Sequence, residues 1–115
     1  MPIAFQHLRS AAAHDVFAAV FTHRGSGLLP YFDFVLTGAD FTKMKPHPEP
    51  YLRAIERSGV EPRACLAVED SERGLRSAKA AGIRCAVLPN ALTRGSDFAD
   101  ADAILSSVAD ILTVL

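Results

Sequence analysis

The sequence lacks an excess of charge of either sign, long apolar runs and clustered cysteines. The formal net charge is −1 at pH 7, which gives no indication of nucleic acid or a membrane surface as a partner. Its apolar stretches fall far short of the roughly 20 residues that a transmembrane helix needs. The first seven residues also lack the charged start and apolar run of a signal peptide. We therefore expect a cytoplasmic protein that binds neither nucleic acid nor membrane.

The two cysteines, Cys65 and Cys85, lie in apolar runs typical of strands. They have no Cys-x-x-Cys spacing and no histidine beside them, which argues against a metal site. We expect both to be small buried apolar side chains in a reducing compartment, without a disulfide.

The length of 115 residues gives room for one small domain with a core, so we treat residues 1–115 as a single unit. Half of the residues are apolar and 22% are charged, which is the composition of a globular protein.

The first part of the chain allows two interpretations. Apolar residues over Leu8–His23 recur at spacings of three, four and one, which predicts an amphipathic helix with Ser10 as its N-cap. A competing interpretation makes Phe17–Thr22 a buried strand. After a glycine-rich loop, Phe32–Thr37 is rich in β-forming residues and predicts a short strand.

The second half of the chain alternates strands and helices. The predicted elements are a helix from Pro48 to Gly59, a strand over Ala64–Val68, a helix over Ser71–Ala81, a strand over Ile83–Leu88, a short strand over Ala103–Leu105 and a closing helix with Val108, Ile111 and Leu112. Strands that alternate with helices of this length form right-handed βαβ units. We therefore predict an α/β fold, a Rossmann-like parallel sheet flanked by helices in three layers.

Two acidic residues, Glu69 and Asp70, follow the strand Ala64–Val68 directly. In an open parallel sheet, ligands bind beyond the carboxyl ends of the strands. Both carboxylates can turn there toward a hard divalent cation. The simpler interpretation is that Asp70 or Ser71 caps the next helix, but that leaves Glu69 without a role.

Lys45 precedes Pro46, which favours an extended backbone, and stands ahead of a helix N-terminus. An ammonium group there can neutralise a phosphate oxygen and pair with carboxylates in the same site. The alternative is a solvated surface lysine such as Lys43. His47 lies in the same loop, where it either contacts substrate or is merely exposed.

The segment from Tyr31 to Leu88 resembles the carboxyl half of the core domain of haloacid dehalogenase-like hydrolases, in the subgroup of phosphoglycolate-type phosphatases and β-phosphoglucomutase. The motifs that carry the resemblance are Leu29-Pro30-Tyr31-Phe32-Asp33, Lys45-Pro46-His47-Pro48-Glu49-Pro50-Tyr51, Val68-Glu69-Asp70-Ser71-Glu72-Arg73-Gly74-Leu75 and Ala78-Lys79-Ala80-Ala81-Gly82-Ile83.

The resemblance implies a role for each site residue. Lys45 is the lysine that steadies the nucleophile and the phosphoryl group, and Glu69 and Asp70 are the acids that hold Mg²⁺. The phosphate-binding Ser or Thr of the family falls at Ser10 if Leu8–His23 is a helix, and at Thr22 if that segment is a strand. We favour Ser10.

The family's first motif, Asp-x-Asp-Gly followed by Thr or Val, is absent from the sequence. In the family it supplies the attacking Asp and the acid/base Asp, so its loss closes the covalent phospho-enzyme route and weakens Mg²⁺ binding. The helical cap domain is missing too, so the resemblance implies a partial core domain, incomplete and truncated.

The missing motif normally sits on the central strand, beside the strand Ala64–Val68. We expect its place to be filled by Pro2–Phe5, by a neighbouring chain or by a rearranged packing, and we expect a homo-oligomer or a complementing chain to result. The implied ancestor is a Mg²⁺-dependent phosphatase or phosphomutase of a small phosphorylated metabolite, inactive in this form. The alternative is a non-catalytic phosphate-binding or assembly module.

Overall fold

The computed structural model describes residues 3–9, 15–21, 34–36, 38–107 and 109–110. The elements are strands β1 (Ile3–Arg9), β2 (Asp15–Phe21), β3 (Phe34–Leu36), β4 (Cys65–Glu69), β5 (Arg84–Val87) and β6 (Ala103–Ile104), and helices α1 (Glu49–Ser58) and α2 (Glu72–Ala80). Short 3-10 turns lie at Gly38–Asp40 and Pro62–Ala64.

The strands form one six-stranded sheet in the order β3-β1-β2-β4-β5-β6. Each neighbouring pair from β2 to β6 is parallel, whereas β1 is antiparallel to both β2 and β3. The predicted fold class, an α/β domain with a parallel sheet and flanking helices, is confirmed. The antiparallel strand β1 is an addition that the sequence pattern did not indicate.

The helix predicted over Leu8–His23 is wrong. This segment contains the end of β1 and all of β2. The competing interpretation, a strand over Phe17–Thr22, therefore predicted the correct type of secondary structure. The reason is long-range pairing: residues 17–20 of β2 form a parallel ladder with residues 65–68 of β4. The segment is also rich in valine and phenylalanine, residue types that are more frequent in strands than in helices.

The position beside β4, where the resemblance implies a first-motif strand, is occupied by β2. Of the three expected ways to fill this position, the structure therefore shows a rearranged packing within the chain. Strand β1, which includes Ile3–Phe5, lies one position further out, between β2 and β3.

Helix α1 begins and ends where the sequence indicates. Pro48 is its N-cap and Pro50 lies in its first turn, where a missing N–H costs no helical hydrogen bond. Gly59 ends the helix with φ 71°, a left-handed conformation that glycine adopts without steric cost, and its N–H donates to the carbonyl of Ile55.

Helix α2 begins after the N-cap Ser71, whose Oγ accepts a hydrogen bond from the N–H of Gly74. Gly82, with φ 80°, follows its end. No helix within the described ranges is long and apolar enough to cross a bilayer.

Strand β4 is buried along its whole length, as its continuous apolar run predicts. Cys65 and Ala67 pack with residues of both helices in one core cluster, while Leu66 belongs to a second cluster with Ala86 and Leu105. Because side chains alternate along a strand, α1 and α2 lie on the same face of the sheet. The predicted closing helix with Val108, Ile111 and Leu112 lies outside the described residues.

Both cysteines are buried free thiols, as expected. Burial raises the pKa of Cys65 to about 11 and that of Cys85 to about 12, so neither is a reactive thiolate at neutral pH.

Candidate functional site

Three loops meet at the carboxyl end of β4 and surround a cavity of about 360 Å³. They are the loop before α1, the turn from β4 into α2 and the loop after β5. The lining residues are Phe41, Met44, Lys45, Pro50, Glu69, Asp70, Ser71, Arg73, Asn90, Leu92 and Thr93. The cavity therefore lies where an open parallel sheet places its ligand site.

Lys45 and Glu69 form an ion pair at this edge, with Lys45 Nζ 2.5 Å from Glu69 Oε1. The side chain of Glu69 is 1% exposed and that of Lys45 is 15% exposed. The predicted convergence of these residues, 24 positions apart in the chain, is confirmed. A carboxylate this deeply buried needs such a partner, because an isolated charge in the interior is strongly unfavourable.

Tyr51 is a second partner of Glu69 that the sequence analysis missed. Its hydroxyl donates to the same Oε1 atom, and its ring centroid lies 5.3 Å from Lys45 Nζ. Burial, and then the negative charge of Glu69, raise the pKa of Tyr51 well above its ordinary value of 10, so the hydroxyl stays a donor. A buried tyrosine usually needs a hydrogen-bond partner for its hydroxyl, and this was the available signal.

Gly74 lets α2 approach the carboxylate of Glu69. A Cβ atom at this position would lie 1.9 Å from Glu69 Oε2 and 2.2 Å from its Cδ. No side chain larger than hydrogen fits there unless Glu69 moves. A glycine inside a helix is unfavourable by about 1 kcal/mol relative to alanine, so it commonly marks a close approach of this kind.

Asp70 is half-buried and has a different partner from its neighbour. Its Oδ2 accepts a hydrogen bond from Asn90 Nδ2 at 3.1 Å. The capping role that could have explained Asp70 belongs to Ser71. Both acidic residues line the cavity, but Glu69 is held by the α1 side and Asp70 by the loop after β5.

Helix α2 also holds the loop that carries Lys45. Arg73 Nη2 donates to the carbonyl of Lys45 at 2.7 Å, and Ser77 Oγ donates to the carbonyl of His47 at 2.7 Å. Arg73 and Ser77 are four residues apart and therefore lie on one face of the helix. The Lys45–Pro46 peptide bond is cis.

His47 has a local structural contact. Its Nδ1 accepts a hydrogen bond from the backbone N–H of Glu49 at 3.0 Å, which satisfies a donor in the first turn of α1. The neutral ring then carries its proton on Nε2. His47 is exposed and is not one of the residues that line the cavity, so its contact with substrate stays a prediction.

Glu49 also holds the loop before α1, through hydrogen bonds to Thr42 and Lys43. Its carboxylate accepts hydrogen bonds from the N–H and hydroxyl of Thr42 and from the N–H of Lys43. The backbone hydrogen bond from Thr42, followed by that from its hydroxyl, lowers the pKa of Glu49 to about 2.

The predicted phosphate-binding residue Ser10 lies outside the described residues, and so does its alternative, Thr22. The assignment to Ser10 depended on a helix over Leu8–His23, which the structure replaces with strands. Thr22 directly follows the last residue of β2. Neither assignment is tested by the described geometry.

The donor atoms at the cavity are of the type that binds Mg²⁺, but they are too few to complete its coordination shell. Glu69 and Asp70 offer carboxylate oxygens, the type of ligand that Mg²⁺ prefers, whereas an octahedral shell needs about six ligands. Over residues 38–107 and the other described ranges, no group of three or more His, Cys, Asp or Glu side chains is arranged to hold a metal ion. Water, substrate or another chain would have to complete the shell.

Comparison with known proteins supports the family resemblance seen in the sequence. The family model for haloacid dehalogenase-like hydrolases matches residues 18–88. Protein CbbY of Rhodobacter capsulatus is 48% identical over 71 residues, which are 62% of this chain and 31% of that protein. Phosphoglycolate phosphatase of Escherichia coli is 38% identical over 87 residues, 74% of this chain and 34% of the enzyme.

A solved structure supports the same relationship. CbbY from Rhodobacter sphaeroides, crystallised in complex with phosphate, superposes with a TM-score of 0.68 at 41% identity. The match covers 71% of this chain and 36% of that one. The chain therefore spans between 31% and 36% of the length of these three proteins.

Proposed function

We propose a phosphoryl-binding role for this chain, which belongs to the haloacid dehalogenase-like hydrolase family. The cavity at the carboxyl end of β4 would hold the phosphoryl group of a small phosphorylated metabolite. The observation that carries the proposal is the ion pair of Lys45 with Glu69, 2.5 Å long, on a cavity that Asp70 also lines.

Each residue has a distinct task in this proposal. The ammonium group of Lys45 neutralises a phosphate oxygen, and Glu69 and Tyr51 fix where that ammonium group lies. Asp70, together with Glu69, would hold Mg²⁺, which when bound supplies Lewis acidity to the phosphoryl group. Thr22, which follows β2 directly, is the proposed phosphate-binding hydroxyl in place of Ser10.

The complete proteins of this type would be Mg²⁺-dependent phosphatases or phosphomutases. The sequence printed here contains no Asp-x-Asp-Gly motif. Without that nucleophile, we propose that the chain alone binds phosphate but turns over phosphate esters negligibly.

A second candidate function is a non-catalytic phosphate-binding or assembly module. The observation that favours it is the place of β2, which pairs directly with β4 where the family has its nucleophile-bearing strand. In this case the chain would act with a second copy of itself or with a complementing chain.

Binding of inorganic phosphate, measured by isothermal titration calorimetry, tests the phosphoryl site. We expect Lys45→Ala to weaken binding about tenfold or more, because it removes a charge-assisted contact worth about 1.4 kcal/mol or more. Lys43→Ala is the matched control, since Lys43 is an exposed lysine in the same loop. Equal affinities of the two variants would refute the proposal.

Hydrolysis of an aryl phosphate in the presence of Mg²⁺ tests the inactivity that both candidate functions predict for the chain alone. We expect no turnover above background from the chain alone, even at concentrations that saturate the phosphate site. Metal-dependent turnover that disappears in Lys45→Ala would show a catalytic site in this chain and would contradict the expected inactivity. Size-exclusion chromatography with light scattering would detect the expected self-association.

A further inference from the structure

We infer that Asn90 is a positioning residue that holds the Asp70 carboxylate in place at the cavity. The inference rests on the proposed function, because it assigns to the loop after β5 a task in that same site. Asn90 is neutral and lies 20 residues beyond Asp70 in the chain.

The backbone brings Asn90 to Asp70. The N–H of Leu88 donates to the carbonyl of Glu69 at 2.7 Å, so the chain leaving β5 is fixed to the end of β4. Two residues later Asn90 begins a turn in which its own N–H donates to Thr93 Oγ1 at 3.0 Å. Hydrogen bonds from backbone N–H groups therefore hold the start of this loop at Leu88 and again at Asn90.

The side-chain amide of Asn90 has only one orientation that satisfies its neighbours. Its Oδ1 accepts hydrogen bonds from the N–H of Leu92 at 2.8 Å, the N–H of Thr93 at 3.0 Å and Thr93 Oγ1 at 3.2 Å. A reversed amide would direct its NH2 group at these donors and its oxygen at the carboxylate of Asp70. The three contacts to Oδ1 therefore direct Nδ2 toward Asp70.

A hydrogen bond to Oδ2 fixes the rotation of the Asp70 carboxylate and leaves its other lone pairs for a ligand. Groups that orient a metal-binding carboxylate in this way typically change metal affinity about 10- to 100-fold when they are removed. The Oδ1 atom of Asn90 already accepts three hydrogen bonds within the turn, and its Nδ2 group cannot bind a cation. Its effect on cation binding would therefore pass through Asp70.

The substitution Asn90→Ser separates this task from a merely structural one. A serine hydroxyl can still accept the hydrogen bonds of the turn, but it has no amide that reaches Asp70. Mn²⁺, which prefers the same oxygen ligands as Mg²⁺, is the probe, and its affinity for the full chain is measured by electron paramagnetic resonance. Ala91→Ser serves as the control, because Ala91 is an exposed residue of the same turn.

We expect Asn90→Ser to weaken Mn²⁺ binding about tenfold, Asp70→Asn to weaken it at least as much, and Ala91→Ser to leave it unchanged. If Asp70→Asn weakens binding while Asn90→Ser does not, the inference is wrong and the proposed site stands. If neither variant changes the affinity, or the chain binds no Mn²⁺, the metal part of the proposed function fails.

Nuclear magnetic resonance tests the contact without a metal. We expect the Nδ2 protons of Asn90 to shift in Asp70→Ala and to keep their shifts in Ala91→Ser. Unchanged Asn90 amide signals in Asp70→Ala would overturn the inference directly.

Discussion

Replacing Gly74 with alanine tests how closely α2 packs against the buried carboxylate. The added Cβ would lie 1.9 Å from Glu69 Oε2 and 2.7 Å from Oε1, closer than any ordinary contact. Glu69 would have to move by more than an ångström, but its Oε1 is held by Lys45 and Tyr51. The substitution therefore forces a choice between a steric clash and the loss of both partners.

The expected loss of stability follows from two opposing terms. Alanine is about 1 kcal/mol more favourable than glycine in a helix. Separating a buried carboxylate from its partner costs about 3–5 kcal/mol. We therefore expect Gly74→Ala to lower the free energy of unfolding by about 2–4 kcal/mol.

Urea unfolding followed by circular dichroism measures this change. Gly95→Ala is the matched control, because a Cβ at Gly95 meets no atom within 4 Å. Equal stability of Gly74→Ala and the wild-type chain would refute the reasoning.

Three further predictions concern residues around the site. Tyr51→Phe should lower the free energy of unfolding by about 1.5–3 kcal/mol, because Glu69 loses a hydrogen bond to a charged acceptor, and urea unfolding measures it. Ser71→Ala should cost about 1 kcal/mol through loss of the N-cap of α2, whereas Ser71→Asn should keep the cap, again by urea unfolding. The pKa of Glu49 is lowered to about 2, so its stabilising effect should be complete above its ordinary value of 4.5 and should disappear as the pH falls through about 2. Unfolding curves across that pH range measure the effect, and Glu49→Gln should lack it.

Each of these predictions has a contradicting result. A Tyr51→Phe variant as stable as the wild-type chain would mean that its hydroxyl does not support Glu69. Equal destabilisation by Ser71→Ala and Ser71→Asn would exclude capping as the cause. The same pH dependence in Glu49→Gln and in the wild-type chain would assign the acid sensitivity to another group.

The meeting of Lys45 and Glu69 could be predicted from sequence because strong local rules determine it. Pro46 and Pro48 set the loop and the start of α1, and a continuous apolar run marks β4. Parallel strands then place their carboxyl ends along one edge. Each of these rules depends on only a few residues, so it does not depend on how the other strands of the sheet are paired.

The beginning of the chain could not be predicted in the same way. Spacings of three and four between Leu8 and His23 suit a helix, but residues 17–20 pair with residues 65–68, far away in sequence. Such pairing adds ladder hydrogen bonds and burial that no local pattern contains. Tertiary contacts therefore overrode the periodicity.

The side chains that support the site were missed for a related reason. In the sequence Tyr51 is only the last residue of the motif that begins at Lys45, and nothing singles out Asn90. Their partners, Glu69 and Asp70, are 18 and 20 residues away. Sequence shows that a buried tyrosine needs a partner, but it does not show which one.

The most direct test of the central claim is a crystal structure of the chain soaked with tungstate, a phosphate analogue whose anomalous scattering identifies its position. The account predicts one tungstate in the cavity, with an oxygen within hydrogen-bond distance of Lys45 Nζ, and no peak there in crystals of Lys45→Ala. An empty cavity at saturating tungstate, or an unchanged peak in the variant, would contradict it.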